Sequence, residues 1–267
     1  MKGKKIIILI LSISGIGCGI IFGWHVYGVM ESEKQYAILR TEVVSKEELE
    51  GSQNKDITRS TNILEYAKEE TENPINFQLL QKINPEICAW VQIPGTRIDY
   101  PVARHEGEDQ SFYLNHNLYG EPEVTGCIYM ENINQLDFND GNTVLYGHNM
   151  KNGSMFQNLH LFKDEKFFDE NEKVYIYLPG EILEYRIIAA YETDNRHILY
   201  AFDFSSPNMI CQYLQEVLSI RSMYAHVRHP EDLPSELKIL TMSTCVSGRP
   251  ESRYLIQALL YQREATN

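Results

Sequence analysis

Thirteen side chains in this sequence could do covalent or proton-transfer chemistry near neutral pH: five cysteines and eight histidines. The cysteines (Cys18, Cys88, Cys127, Cys211 and Cys245) show no C-x-x-C spacing, which argues against a zinc site and against a dithiol redox motif. An odd number leaves at least one thiol free unless two chains pair. Cys18 falls in a long apolar run, and Cys88 and Cys127 sit beside or within short apolar segments where a small buried hydrophobe is the expected role. Cys211 precedes Leu214 and Leu218 by three and seven residues, a helical spacing that predicts a core position. Cys245 differs. It ends the apolar segment 237–244 and is followed by Val246-Ser247-Gly248-Arg249-Pro250, a turn that cannot continue a strand. A thiol at a strand end can face both solvent and substrate.

A thiol nucleophile needs a proton acceptor and donor, and imidazole titrates in the right range. His25 adjoins the apolar run, whereas His105, His116, His160, His197, His226 and His229 stand in polar, loop-like surroundings that predict solvated positions. His148 follows the apolar segment 143–146 and Gly147, a residue expected to let the backbone turn sharply, so it too sits at a strand end. After the turn at 246–250 a strand begins at Arg253. A hairpin return would set Arg253 beside Cys245, where a fixed cation favours thiolate and can bind the oxyanion formed when that thiolate attacks a carbonyl. Arg249, four residues after Cys245, is the competing guanidinium.

Positioning these groups requires a scaffold, and the pattern beyond Pro85 supplies one. Short apolar runs at 89–93, 126–130, 143–146, 174–178, 185–191, 237–244 and 254–261 are separated by turn signals such as Pro94-Gly95 and Pro179-Gly180, which predicts a mostly β sandwich or barrel. One helix interrupts it, with Ser206 as N-cap, Pro207 at its first position and Ile210, Leu214, Val217 and Leu218 at helical spacing. Asn73-Pro74 has the form of another helix start. The N-terminal region reads differently. Lys2, Lys4 and Lys5 precede an apolar stretch whose length suits a bilayer span, with Trp24 and Tyr27 as interface anchors and Glu31 and Glu33 after it. A cleaved signal peptide shares the basic start but not the length. The expected organisation is therefore a cytoplasmic tail (1–5), a transmembrane signal-anchor (6–29), a polar and partly helical stalk (30–74) and an extracellular catalytic domain (75–267). The formal net charge of −13 argues against a nucleic-acid partner.

Three segments carry a family resemblance. Thr241-Met242-Ser243-Thr244-Cys245 resembles the Thr-Leu-x-Thr-Cys signature of sortases, with Met242 in place of Leu, a volume-conserving change. Residues 142–150 with Gly153-Ser154-Met155-Phe156 are similar to the histidine segment of class B sortases, and so are residues 84–102 to the first strand region of that class. The resemblance covers roughly residues 76–262. It implies an eight-stranded sortase-type β-barrel with a helical insertion, matched by the helix from Ser206, and N-terminal helices. It also implies Cys245 as nucleophile, His148 as acid/base and Arg253 as the third catalytic group, preferred over Arg249 because Tyr254-Leu255-Ile256 follows it directly. Tyr146, Asn149, Ser243 and Thr244, neighbours of these residues in the motifs, are expected to bind substrate.

The activity so implied is cysteine transpeptidation at a Gram-positive type cell surface. The enzyme would cleave a C-terminal sorting signal of a secreted protein after Thr, hold the acyl group as a thioester, and pass it to an amine of a peptidoglycan precursor or a pilin. The chemistry calls for no metal and no organic cofactor. Two other readings of the same residues are a hydrolytic cysteine peptidase with the same Cys/His/Arg site and a non-enzymatic anchored binding module.

Overall fold

The computed structural model describes Gly23, residues 26–44 and residues 71–267. Within these, the strands are β1 (Ile87–Gln92), β2 (Asp99–Arg104), β3 (Ile128–Met130), β4 (Asn142–Tyr146), β5 (Lys173–Leu178), β6 (Glu181–Asp194), β7 (His226–Val227), β8 (Ile239–Val246) and β9 (Arg249–Ala265). They run in the order β5-β1-β2-β3-β4-β8-β9-β6, and β5 pairs again with β6, so eight strands close into a barrel while β7 adds to the free side of β6. Closure removes the exposed edges that an open sheet would present. The helices are α1 (residues 26–43), α2 (Phe77–Ile83), α3 (Glu165–Glu170), α4 (Ile198–Ala201) and α5 (Pro207–Leu218). A 3-10 stretch, Phe156–Lys163, follows β4.

The period-two alternation of strand side chains explains where a site can open. On β8, Leu240, Met242 and Val246 point into the barrel with Tyr254, Ile256 and Ala258 of β9 and Leu145 of β4. The alternate residues face outward. Near the start of β8 that outer face is covered by α5: Ile210, Tyr213, Leu214 and Val217 pack with Ile239, Leu255 and Leu259. A buried polar network ties the same layers, in which Thr241 Oγ1 lies 3.0 Å from Gln257 Oε1 and Gln257 Nε2 donates to Tyr213 Oη at 2.8 Å. Satisfying these groups avoids a penalty of about 1–3 kcal/mol for each one left buried without a partner. Toward the end of β8 the cover stops. Cys245 is consequently the single exposed residue of that eight-residue strand.

Several sequence expectations shift in the structure. The helix start expected at Asn73-Pro74 falls three residues later, because Asn76 Oδ1 accepts from Leu79 N at 3.0 Å, while Asn73 instead donates to the Leu178 carbonyl at 2.7 Å and so ties the chain to β5. Helix α5 starts as expected, with Ser206 Oγ accepting from Met209 N at 3.4 Å. Its buried face is Ile210, Tyr213, Leu214 and Val217, so Cys211, rotated off that face, is half-buried and not a core residue. The expected stalk from residue 30 onward begins inside the folded body: Leu39 and Val43 of α1 are buried against Ile75 and Phe77, and Arg40 pairs with Asp99. The expected membrane span at 6–29 lies outside the described residues apart from Gly23 and 26–29, and among the described residues no helix is long and apolar enough to cross a membrane.

Candidate active site

The ends of β4, β8 and β9, the loop after β6 and the turn at Leu114 enclose a cavity of about 220 Å³ on the outer barrel wall. His148, Cys245 and Arg253 all line it. Cys245 and Arg253 are direct partners in the antiparallel β8–β9 register, a pairing that depends on a slip in the ladder, since the next residue, Val246, pairs with Arg249. That slip, with Gly248 at φ +75°, turns the chain immediately beyond the thiol.

His148 is half-buried and donates from Nε2 to the Leu114 carbonyl at 2.7 Å. A carbonyl can only accept, so Nε2 carries the hydrogen and Nδ1 is left for proton exchange. Gly147 brings this histidine against β8, but not by a turn. Its φ is not positive; instead a Cβ there would lie 2.4 Å from Ile128 Cδ1 and 2.8 Å from Phe156 Cδ2. The glycine is demanded by close approach. It lets Gly147 N donate to the Ser243 carbonyl at 3.2 Å while its own carbonyl accepts from Thr244 Oγ1 at 2.8 Å.

The two arginines separate clearly. Arg249 pairs with Glu192, whose other oxygen accepts from Lys163 Nζ at 2.8 Å. Arg253 makes no ion pair among the described residues; Nη1 donates to the carbonyls of Pro250 and Ser252, at 2.8 and 3.1 Å, which orients the guanidinium without neutralising it. An uncompensated cation opposite a thiol on a half-open wall is suited to holding developing negative charge. Cys88 and Cys127 are poor nucleophiles by environment. Burial pushes both Cys88 and Cys127 up to about 12, and a thiol held protonated does not attack.

Of the expected substrate-binding residues, Tyr146, Ser243 and Thr244 line the cavity. Tyr146 stacks on Tyr129 at 5.4 Å and its buried hydroxyl has no hydrogen-bond partner. Asn149 is not on the lining; its Nδ2 donates to the Cys245 carbonyl at 2.9 Å and to Ser247 Oγ at 3.1 Å. Two histidines expected in solvated positions also belong to the surroundings of the site. His160, half-buried, donates from Nε2 to the Cys245 carbonyl at 3.0 Å. His197 lines the cavity and pairs with Glu131 at 2.7 Å. The spacing of Phe156, Leu159 and Phe162 around His160 was the available sign that this segment packs inward. Nothing local marks His197, which reaches the cavity only through the path of the loop between β6 and α4.

A closed barrel that presents, among the described residues, one exposed thiol beside a guanidinium without an ion pair and a backbone-oriented imidazole defines a class of cysteine enzyme built for acyl transfer. Comparison with known proteins makes this specific. The Sortase domain family model matches residues 91–261. The chain is similar to sortase B of Listeria monocytogenes, 31% identical over 204 residues that span 73% of this chain and 80% of that protein. The crystal structure of Clostridium perfringens sortase B superposes with a TM-score of 0.62 at 32% identity, covering 70% of this chain and all of that one. A Staphylococcus aureus sortase B–substrate complex gives 0.60 at 25% identity, covering 70% and 84%. The chain belongs to the sortase family and to its class B, and is a sortase-type cysteine transpeptidase.

Proposed function

We propose that this sortase cleaves a C-terminal sorting signal after a Thr residue and transfers the acyl group to an amine acceptor at the cell surface, a peptidoglycan precursor or a pilin. The observation that carries the reading is the register pairing of Cys245 with Arg253 on the wall of the cavity that His148 also lines. Cys245 Sγ attacks the Thr carbonyl carbon, and Arg253 stabilises the resulting oxyanion. Collapse of that intermediate breaks the peptide C–N bond. His148, as imidazolium, gives the proton on Nδ1 to the departing amine and leaves a thioester on Cys245. The neutral imidazole then takes a proton from the incoming amine as it attacks the thioester carbonyl, and the thiolate departs.

Tyr146, Ser243 and Thr244 form the part of the wall that a bound signal peptide would touch. The secreted protein substrate and the acceptor both reach this site at the outer face of a membrane, which accounts for the basic start and apolar stretch of residues 6–29 as a single-pass anchor with the N-terminus in the cytoplasm. Of the stalk expected at 30–74, only the part of α1 that precedes its docked residues would then separate anchor from body, because Val44 already pairs with Ile75 on the domain.

The test is product analysis. The full-length chain, given a fluorescent Thr-containing sorting peptide and excess amine, should release the C-terminal fragment and join the remainder to the amine. Hydrolysis at full rate with no amine incorporated, across several such peptides, would replace this reading with that of a peptidase.

A further inference from the structure

The carbonyl of Cys245 is an unusual place for two side chains to meet. In the parallel β4–β8 ladder the Ser243 carbonyl accepts from Gly147 N, at 3.2 Å, so the next acceptor on the same edge is the Cys245 carbonyl and its ladder donor would be the backbone N–H of residue 149. The pairing stops before that point, at Tyr146 with Ser243. The missing donor is supplied by side chains instead. Asn149 Nδ2 reaches the carbonyl at 2.9 Å from the loop that carries His148, and His160 Nε2 reaches it at 3.0 Å from the 3-10 stretch.

His160 is braced from behind. Its ring stacks on Tyr254 with centroids 4.9 Å apart; Lys163 Nζ lies 5.0 Å from the centroid of the same Tyr254 ring and 2.8 Å from Glu192, which in turn pairs with Arg249. Burial, reinforced by the charge of Lys163, holds His160 below the usual imidazole range, so it is neutral at neutral pH and keeps its Nε2 hydrogen for the carbonyl.

We propose that Asn149 and His160 are positioning residues that fix the nucleophile by gripping its own carbonyl, joining the histidine loop and the 3-10 stretch to the end of β8 at the point where the ladder gives out. This inference rests on the reading of Cys245 as nucleophile. It assigns Asn149 a task other than substrate contact, and it gives the Glu192–Arg249 pair a place in the site as the outer support of His160. Cys245 is paired with β9 but has no ladder partner on the β4 side, so that side of the strand end needs another tether. Holding the carbonyl from two sides fixes the thiol on the cavity wall that His148 and Arg253 also line, where a misplacement of about 1 Å can cost a hundredfold in rate.

The experiment compares steady-state kinetics and melting of the full-length chain with Asn149→Ala, His160→Phe, His160→Gln and Cys245→Ala, using a Thr-containing sorting peptide and an amine acceptor. His160→Phe keeps the ring on Tyr254 and loses the donor, whereas His160→Gln loses the ring and can put an amide nitrogen near the Nε2 position. Asn149→Ala and His160→Phe should each lower kcat about five- to tenfold with KM changed less than about twofold, in line with the loss of one hydrogen bond of this kind. His160→Gln should recover most of that loss. Asn149→Ala alters a loop side chain and keeps the question answerable even if His160→Phe melts far below the parent. A rise in KM at constant kcat for Asn149→Ala would place Asn149 on the substrate and overturn the proposal, as would unchanged kcat in both donor-less variants or a His160→Gln variant no better than His160→Phe. Turnover surviving in Cys245→Ala would instead overturn the nucleophile reading beneath it.

Discussion

Gly147→Ala is the perturbation that most directly asks whether close packing, and not local flexibility, sets the histidine in place. The added methyl would sit 2.4 Å from Ile128 Cδ1 and 2.8 and 2.9 Å from Phe156 Cδ2 and Cγ, all well inside contact distance. Ile128 and Phe156 are 1% and 0% exposed, so neither has free space to retreat into. Overpacking of this kind costs about 1–3 kcal/mol. For a domain of this size each kcal/mol lowers Tm by about 2–4 °C, so a fall of about 2–12 °C is expected. A shift of Gly147 that relieves the clash strains its bonds to Ser243 and Thr244 and carries His148 with it. Turnover should therefore drop about tenfold or more, beyond what the stability loss explains. Differential scanning calorimetry with peptide-cleavage kinetics measures both. Ile128→Val removes the nearest methyl, so the double variant should melt above the value that simple addition of the two single effects gives. A Gly147→Ala protein that melts within a degree or so of the parent and turns over normally would refute the close-approach argument.

Arg253→Ala should lower kcat about a hundred- to thousandfold, as for loss of an oxyanion donor, while Arg249→Ala, which removes only a partly exposed ion pair with Glu192, should stay within about fivefold; equal losses would mean the free and the paired guanidinium are not functionally distinct. The His160 side chain should also make stability depend on pH. Its folded-state value is held down by burial, so above the ordinary imidazole value of about 6.5 neither state is protonated, and as pH falls through that value the unfolded chain takes the proton first and stability declines. Calorimetry between about pH 7.5 and 5 should thus show His160→Gln gaining relative to the parent as pH drops, and parallel curves would contradict the assignment.

Most of the scaffold was legible because strands announce themselves by short apolar runs between turn signals, and the seven runs read from the sequence fall on β1, β3, β4, β5, β6, β8 and β9, although β6 and β9 extend well beyond theirs. Strand β2 escaped the pattern because Asp99, Pro101 and Arg104 interrupt it, although its side chains are buried from Tyr100 to Ala103. Cys245 and Arg253 were legible for a local reason, since a short turn brings the chain back alongside itself, but the slip that pairs Cys245 with Arg253 while Val246 pairs with Arg249 was not. His148 was found through its strand end, yet the role of the glycine before it was misread, since crowding by Ile128 and Phe156 comes from segments far along the chain. His160 and His197 were missed on the same ground. His197 stands in a polar local context, whereas His160 has apolar flanks, and each acquires its partner, the Cys245 carbonyl or Glu131, only when remote segments fold together. The docking of α1 was hidden likewise, because Leu39 and Val43 are spaced for a short apolar face that an exposed stalk helix could equally carry.

The central claim is that a thioester forms on Cys245 and waits for an amine. Intact-mass spectrometry of the full-length chain mixed with a Thr-containing sorting peptide, without amine, measures this directly. The expected result is an adduct equal to the N-terminal peptide fragment, lost with hydroxylamine or on addition of an amine acceptor, mapped to Cys245 by proteolysis, absent in Cys245→Ala, and sharply reduced in His148→Ala. Peptide cleavage at a normal rate with no adduct at any time point, or an adduct that maps to Cys88, Cys127 or Cys211, would contradict it.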